Sequence, residues 1–65
     1  MNPPLLIDGK RCETEKDVRD YAFNYTKNGF KQDFRLASGA YKLPFIQLLE
    51  LLDSTGHTVE QAPVA

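Results

Sequence analysis

The sequence predicts one small α+β domain with the element order β(β)–α–β–β–α, its two helices packed on one face of a short antiparallel sheet. Three observations predict it. Val18, Tyr21, Ala22 and Tyr25 recur at the i, i+3, i+4, i+7 spacing of a helix stripe. Pro44 opens a second apolar run of helical length. Asp8-Gly9 and Ser38-Gly39 each stand between short stretches that can pair as strands. Sixty-five residues enclose one core only, and a chain of that size buries roughly 60% of the surface its unfolded form exposes.

Met1 to Pro4 read as an N-terminal tail, residues 5–53 as the folded unit, and residues 54–65 as a flexible C-terminal tail. Leu5-Leu6-Ile7 is a strand candidate. Asp8-Gly9 suits a type I′ turn, and Lys10-Arg11-Cys12 returns as the partner. Thr14 is placed to cap a first helix, with Glu15 and Asp17 at its positive end, running to about Lys27 before Asn28-Gly29. For residues 30–43 two readings compete. A hairpin turning at Ser38-Gly39 sets Leu36 opposite Tyr41 and Phe34 opposite Leu43 on one face, with Arg35 opposite Lys42 on the other. The alternative is a short helix from Phe30 to Ala37. The consistent alternation favours the hairpin. Pro44 then suits the first turn of a closing helix, Phe45 to Asp53, that Ser54-Thr55-Gly56 stops.

The chemistry needed for catalysis is sparse. Cys12 is the only cysteine and His57 the only histidine, so neither an intramolecular disulfide nor a Cys/His zinc set can be assembled. Cys12 reads as a small buried hydrophobe and His57 as a solvated tail residue. The early acids read as helix-start residues, since their order lacks the alternation and central glycine of a calcium loop. Single scattered glycines make no phosphate cradle. The expectation is a protein that is not an enzyme and takes no metal and no cofactor.

Eight Lys and Arg against nine Asp and Glu give a net charge of −1 and a pI of about 5.7, below the balance of a dedicated nucleic-acid binder. The charge is unevenly placed. Every cation falls between Lys10 and Lys42, where eight cations against five acids leave +3, while Asp8, Glu50, Asp53 and Glu60 give −4 outside it. Without a long apolar span or a basic leader, the expected setting is the cytoplasm with no membrane contact.

Three surfaces are binding candidates. Lys16, Arg19, Phe23 and Lys27 project from the outer face of the first helix, and an aromatic among long cations has the composition of a protein-binding anchor. The closing helix is apolar over more than half its circumference, which makes Phe45, Leu48, Leu51 and Leu52 the candidates for a homodimer seam. Lys31, Arg35 and Lys42 on the second hairpin are the candidates for a nucleic-acid contact. The expected function is a small regulator or inhibitor that binds a larger protein, as a homodimer. The alternative is a DNA-binding accessory or transcriptional regulator that uses the basic hairpin and the first-helix face.

Overall fold

A computed structural model describes residues 2–25 and 34–63. It is an α+β domain of three short antiparallel strands and three helices: β1 (Leu5–Ile7), β2 (Lys10–Cys12), α1 (Glu15–Asn24), α2 (Phe34–Gly39), α3 (Phe45–Ser54) and β3 (Val59–Gln61). Among the described residues no helix is long and apolar enough to cross a membrane.

The first hairpin forms as its turn residues require. Asp8 and Gly9 both take positive φ, 54° and 82°, the backbone of a type I′ turn whose twist matches the flanking strands. The register pairs Leu5 with Cys12 and Ile7 with Lys10. On its other side β1 pairs with β3, Leu5 opposite Gln61 and Ile7 opposite Val59, so the sheet order is β2-β1-β3. The pleat sends Leu5, Ile7 and Cys12 into the core and leaves Leu6, Arg11 and Glu60 on the outer face.

β3 corrects the expectation that residues 54–65 form a flexible tail. The physical cause is the end of α3. Gly56 adopts φ 93°, its amide donates to Asp53 O (3.3 Å), and the His57 amide donates to Leu52 O (3.0 Å). That is a Schellman closure, which satisfies the last carbonyls and reverses the chain. Reversal lays Val59–Gln61 along the free side of β1, where Ala62 N donates to Pro4 O at 3.1 Å. Gln61 Nε2 donates to Asn2 O and Pro4 O, so residues 2–4, expected as a tail, are also tied to the sheet.

The second hairpin is the other correction, because α2 and the turn after it occupy residues 34–43. Strand pairing would have used a period of two, but the buried positions keep a helical one. Leu36 and Ala40 are fully buried and Leu43, seven residues after Leu36, packs against the same core. Ser38 Oγ donates back to Phe34 O at 2.6 Å, a bond within one helical turn. Gly39 lets Leu43 pack close against it, since a Cβ there would lie 2.6 Å from Leu43 Cδ1 and that side chain would have to shift. The observed helix overlaps the competing reading of Phe30 to Ala37 at residues 34–37 and runs two residues beyond it, through Gly39. Phe30 to Asp33 lie outside the described residues, as do Lys27, Asn28-Gly29 and Lys31.

α3 begins after Pro44, whose carbonyl accepts from Leu48 N at 3.0 Å. Its apolar excess is mostly consumed inside the protomer. Leu48 and Leu52 are fully buried, while Phe45 and Leu51 are half-buried against the same core. Leu48 and Leu52 therefore cannot supply the dimer seam expected of them. The large apolar side chain of this helix that does face solvent is Ile46, 57% exposed.

Candidate functional site

α1 presents the strongest candidate surface, and its geometry starts at its cap. Thr14 Oγ1 accepts from Asp17 N (3.2 Å), while Asp17 Oδ2 accepts from the amides of Thr14 (3.2 Å) and Glu13 (3.1 Å), a reciprocal capping box. Val18 and Ala22 turn into the core. The helix ends at Asn24, short of Lys27, with Tyr25 extended at φ −62°, ψ 122°. Leaving the helix lets the Tyr25 ring meet His57, centroids 4.1 Å apart, and Tyr21, centroids 5.3 Å apart.

Phe23, about 140° around the wheel from Val18, is 41% exposed. Its ring sits 5.4 Å from that of Tyr41, which is 53% exposed. Tyr41 Oη donates to Asp20 Oδ1 (2.6 Å), and Lys16 Nζ donates to Asp20 Oδ2 (2.7 Å). The bond from Lys16 holds the Asp20 carboxyl below its ordinary pKa, with Tyr41 adding to the effect. The same contacts raise the pKa of Lys16 and, through Asp20, of the Tyr41 hydroxyl. The result is a row, Lys16–Asp20–Tyr41–Phe23, that fixes two exposed rings. Lys42 follows Tyr41 and is exposed, as is Arg35 on α2.

Arg19 does not belong to that open face. Its side chain is 17% exposed and donates from Nη1 to Ala40 O (3.1 Å) and Leu43 O (2.9 Å), and from Nε to Glu15 Oε2 (3.0 Å). The guanidinium also lies 5.9 Å from the Phe45 ring centroid. It cross-links α1 to the connection between α2 and α3, and so sets where Tyr41 stands. Arg35 and Lys42, expected opposite one another on a β-ribbon, instead lie on α2 and in the turn that follows it.

A second cluster escaped sequence reasoning. The Asp8 side chain, 2% exposed, accepts from His57 Nδ1 (2.7 Å), Tyr21 Oη (2.9 Å) and Thr58 N (3.1 Å). Burial alone would raise the Asp8 pKa, but the bonds from His57, the Thr58 amide and Tyr21 outweigh it and hold the carboxyl at about 2. Burial and the adjoining carboxylate push the Tyr21 hydroxyl well above its ordinary value. His57 is thus a buried residue and not the solvated one expected. An Asp–His pair orients an imidazole in nucleophilic catalysis, yet among the described residues no hydroxyl or thiol is hydrogen-bonded to His57. Cys12 is buried, and burial holds its thiol above the ordinary pKa, away from the nucleophilic thiolate. The cluster binds the hairpin turn, α1 and β3 into one unit.

The open cleft of about 560 Å³ between β2 and α1 is lined by groups already engaged. Asp17 serves the cap, Asp20 holds Lys16 and Tyr41, and Lys10 lies over the Tyr21 ring. Among the described residues no three His, Cys, Asp or Glu side chains converge as a metal-ligand set. No protein family, curated protein or solved structure was found to match this chain.

Proposed function

We propose that this chain is a non-enzymatic, protein-binding regulator or inhibitor of the cytoplasm that acts by contact with a larger protein. The observation that carries the reading is the exposed Phe23–Tyr41 ring pair. Exposed aromatic side chains are the commonest anchors of protein interfaces, because a rigid ring covers a large area at small entropic cost. Tyr41 is held in advance by Asp20, which lowers that cost further. Lys16, paired with Asp20 next to Tyr41, and the exposed Lys42 that follows Tyr41 in sequence lie within the stretch of net +3 and fit a partner surface that is apolar at its centre and acidic at its rim. A homodimer remains part of the reading, but its seam would have to use the half-buried Phe45 and Leu51 and the exposed Ile46, since Leu48 and Leu52 serve the core. The nucleic-acid alternative has lost the β-ribbon it relied on.

The test uses the wild-type chain and Phe23→Ala as parallel baits, identifies what the wild type alone retains, and titrates that partner in purified form. Phe23→Ala should weaken binding about 5- to 150-fold, the equivalent of about 1–3 kcal/mol. Losing the ring pair costs about 0.5–1.5 kcal/mol of stability, so both chains are compared at a temperature where both are folded. An unchanged Kd would reject the reading.

A further inference from the structure

A second surface of the domain differs in kind, being acidic and built on a strand edge. Asp8 N donates to Thr58 O and Ala62 N donates to Pro4 O, in the register that sets Leu6 opposite Glu60. Antiparallel ladders bond at alternate residues, so Thr58, Glu60 and Ala62 turn their backbone groups toward β1. Val59 and Gln61 turn theirs outward, along an edge that no described strand covers. Beside this edge runs a groove of about 310 Å³ between α3 and β3, with Ile46, Leu49 and Val59 as its apolar wall and Glu50 and Asp53 at its rim.

Edge and groove demand the same occupant. A strand added to β3 would bond to the outward groups of Val59 and Gln61 and send alternate side chains to opposite faces. Those on the face of Val59 would enter the groove against Ile46 and call for apolar groups. Those on the face of Glu60 would lie beside a carboxylate and call for cations. Residues 44–65 hold Glu50, Asp53 and Glu60 but no Lys or Arg, so the groove rim at Glu50 and Asp53 favours positive charge, while on the outer face Arg11 reaches past β3 to donate from Nη1 to Pro63 O at 3.0 Å. Two copies meeting edge to edge through β3 would bring these acids together, which disfavours that arrangement.

We infer that the β3 edge and the α3–β3 groove form a docking site for an extended segment of a partner protein in which apolar residues alternate with lysine or arginine. It is independent of the Phe23–Tyr41 face and shares no residue with it. The probes are three capped octapeptides: alternating Val and Lys, alternating Val and Glu, and the Val–Lys peptide with the amides of its pairing edge N-methylated. Each is titrated into the isotopically labelled chain and followed by NMR. The Val–Lys peptide should bind saturably, with shifts concentrated at Ile46, Glu50, Asp53 and residues 59–61. The Val–Glu and N-methylated peptides should bind at least tenfold more weakly, and a Glu50→Lys, Asp53→Lys double variant should lose the Val–Lys peptide to the same degree. Ile46→Lys, at a solvent-facing position, supplies a second variant with the same expected loss. Saturation absent to millimolar peptide would overturn the inference, as would equal affinity for the Val–Glu or N-methylated peptide. So would concentration-dependent self-association that Ile46→Lys abolishes, since a second copy would then own the site.

Discussion

Among the described residues the Asp8 carboxylate is bonded to His57, Tyr21 and Thr58 while its backbone conformation is unusual, so replacing it separates the two contributions. Its carboxylate accepts from His57, Tyr21 and Thr58 in a side chain that is almost fully buried. Hydrogen bonds to a charged group contribute about 1.5–3 kcal/mol each, but they share one acceptor and do not add. Leaving the donors of His57, Tyr21 and Thr58 without their acceptor costs about 1–3 kcal/mol for each buried group. Asp8 also has φ 54°, where a residue with a Cβ loses roughly 1–2 kcal/mol, a penalty that Asp and Asn soften by local hydrogen bonding and Gly escapes. Asp8→Asn keeps the backbone tolerance and one carbonyl acceptor, and should cost about 2–3 kcal/mol. Asp8→Gly loses every side-chain bond but relieves the backbone, at about 3–4 kcal/mol. Asp8→Ala loses both, at about 4–6 kcal/mol. A chain of this length has a total stability of roughly 3–10 kcal/mol, so Asp8→Ala should be largely unfolded at 37 °C. Urea unfolding followed by circular dichroism at pH 7 gives the order, wild type above Asn, Asn above Gly, Gly above Ala. An Ala variant within about 1 kcal/mol of wild type would refute the reasoning.

Three further outcomes follow from the same contacts. Because the folded Asp8 pKa of about 2 lies below the ordinary value of 3.8, its contribution is complete above pH ~4 and is lost as the pH falls toward 2; on the order of 2 kcal/mol should go in that window, and acid titration of Asp8→Asn should lack it. Gly56→Ala forces a Cβ into φ 93° and should cost about 1–2 kcal/mol by thermal unfolding, with the His57 ring resonances moving as its contact with Tyr25 is disturbed. Arg19→Ala should lose about 2–3 kcal/mol by removing a charged donor from two backbone carbonyls. Arg19→Lys should restore less than half of that, because an ammonium lacks the planar fork, and Tyr41 resonances should move in both.

The parts legible in the sequence are those settled by neighbouring residues. Asp8-Gly9 specifies its turn through its own backbone, Thr14 and Asp17 meet within one helical turn, and the Val18–Ala22 stripe needs only periodicity. Phe23 could be placed opposite that stripe by angle alone, and it is exposed there. What failed depended on contacts distant in sequence. Residues 34–43 alternate well enough for a hairpin, but burial of Leu36 and Ala40 against α1 chose the helix. Residues 59–61 look polar because only one of their edges is bonded and most of their side chains face solvent. Gly56 was readable as a helix stop, yet its consequence, the return of His57 to Asp8 across 49 residues, was not. Arg19 sits on the wheel near Lys16, and nothing local distinguishes a clamp on Ala40 and Leu43 from a free surface cation. Tyr41 was missed for the same reason, since the alternation that paired it with Leu36 hid its place beside Phe23.

The claim that this chain works through the Phe23–Tyr41 face is tested most directly by mapping that face in a complex. The labelled chain would be titrated with the purified partner that distinguishes wild type from Phe23→Ala, and side-chain and amide resonances followed by NMR. Perturbation should centre on Asp20, Phe23, Tyr41 and Lys42, while His57 and the buried residues of β1 keep their free-state positions. A saturable complex that leaves Phe23 and Tyr41 unperturbed would contradict it.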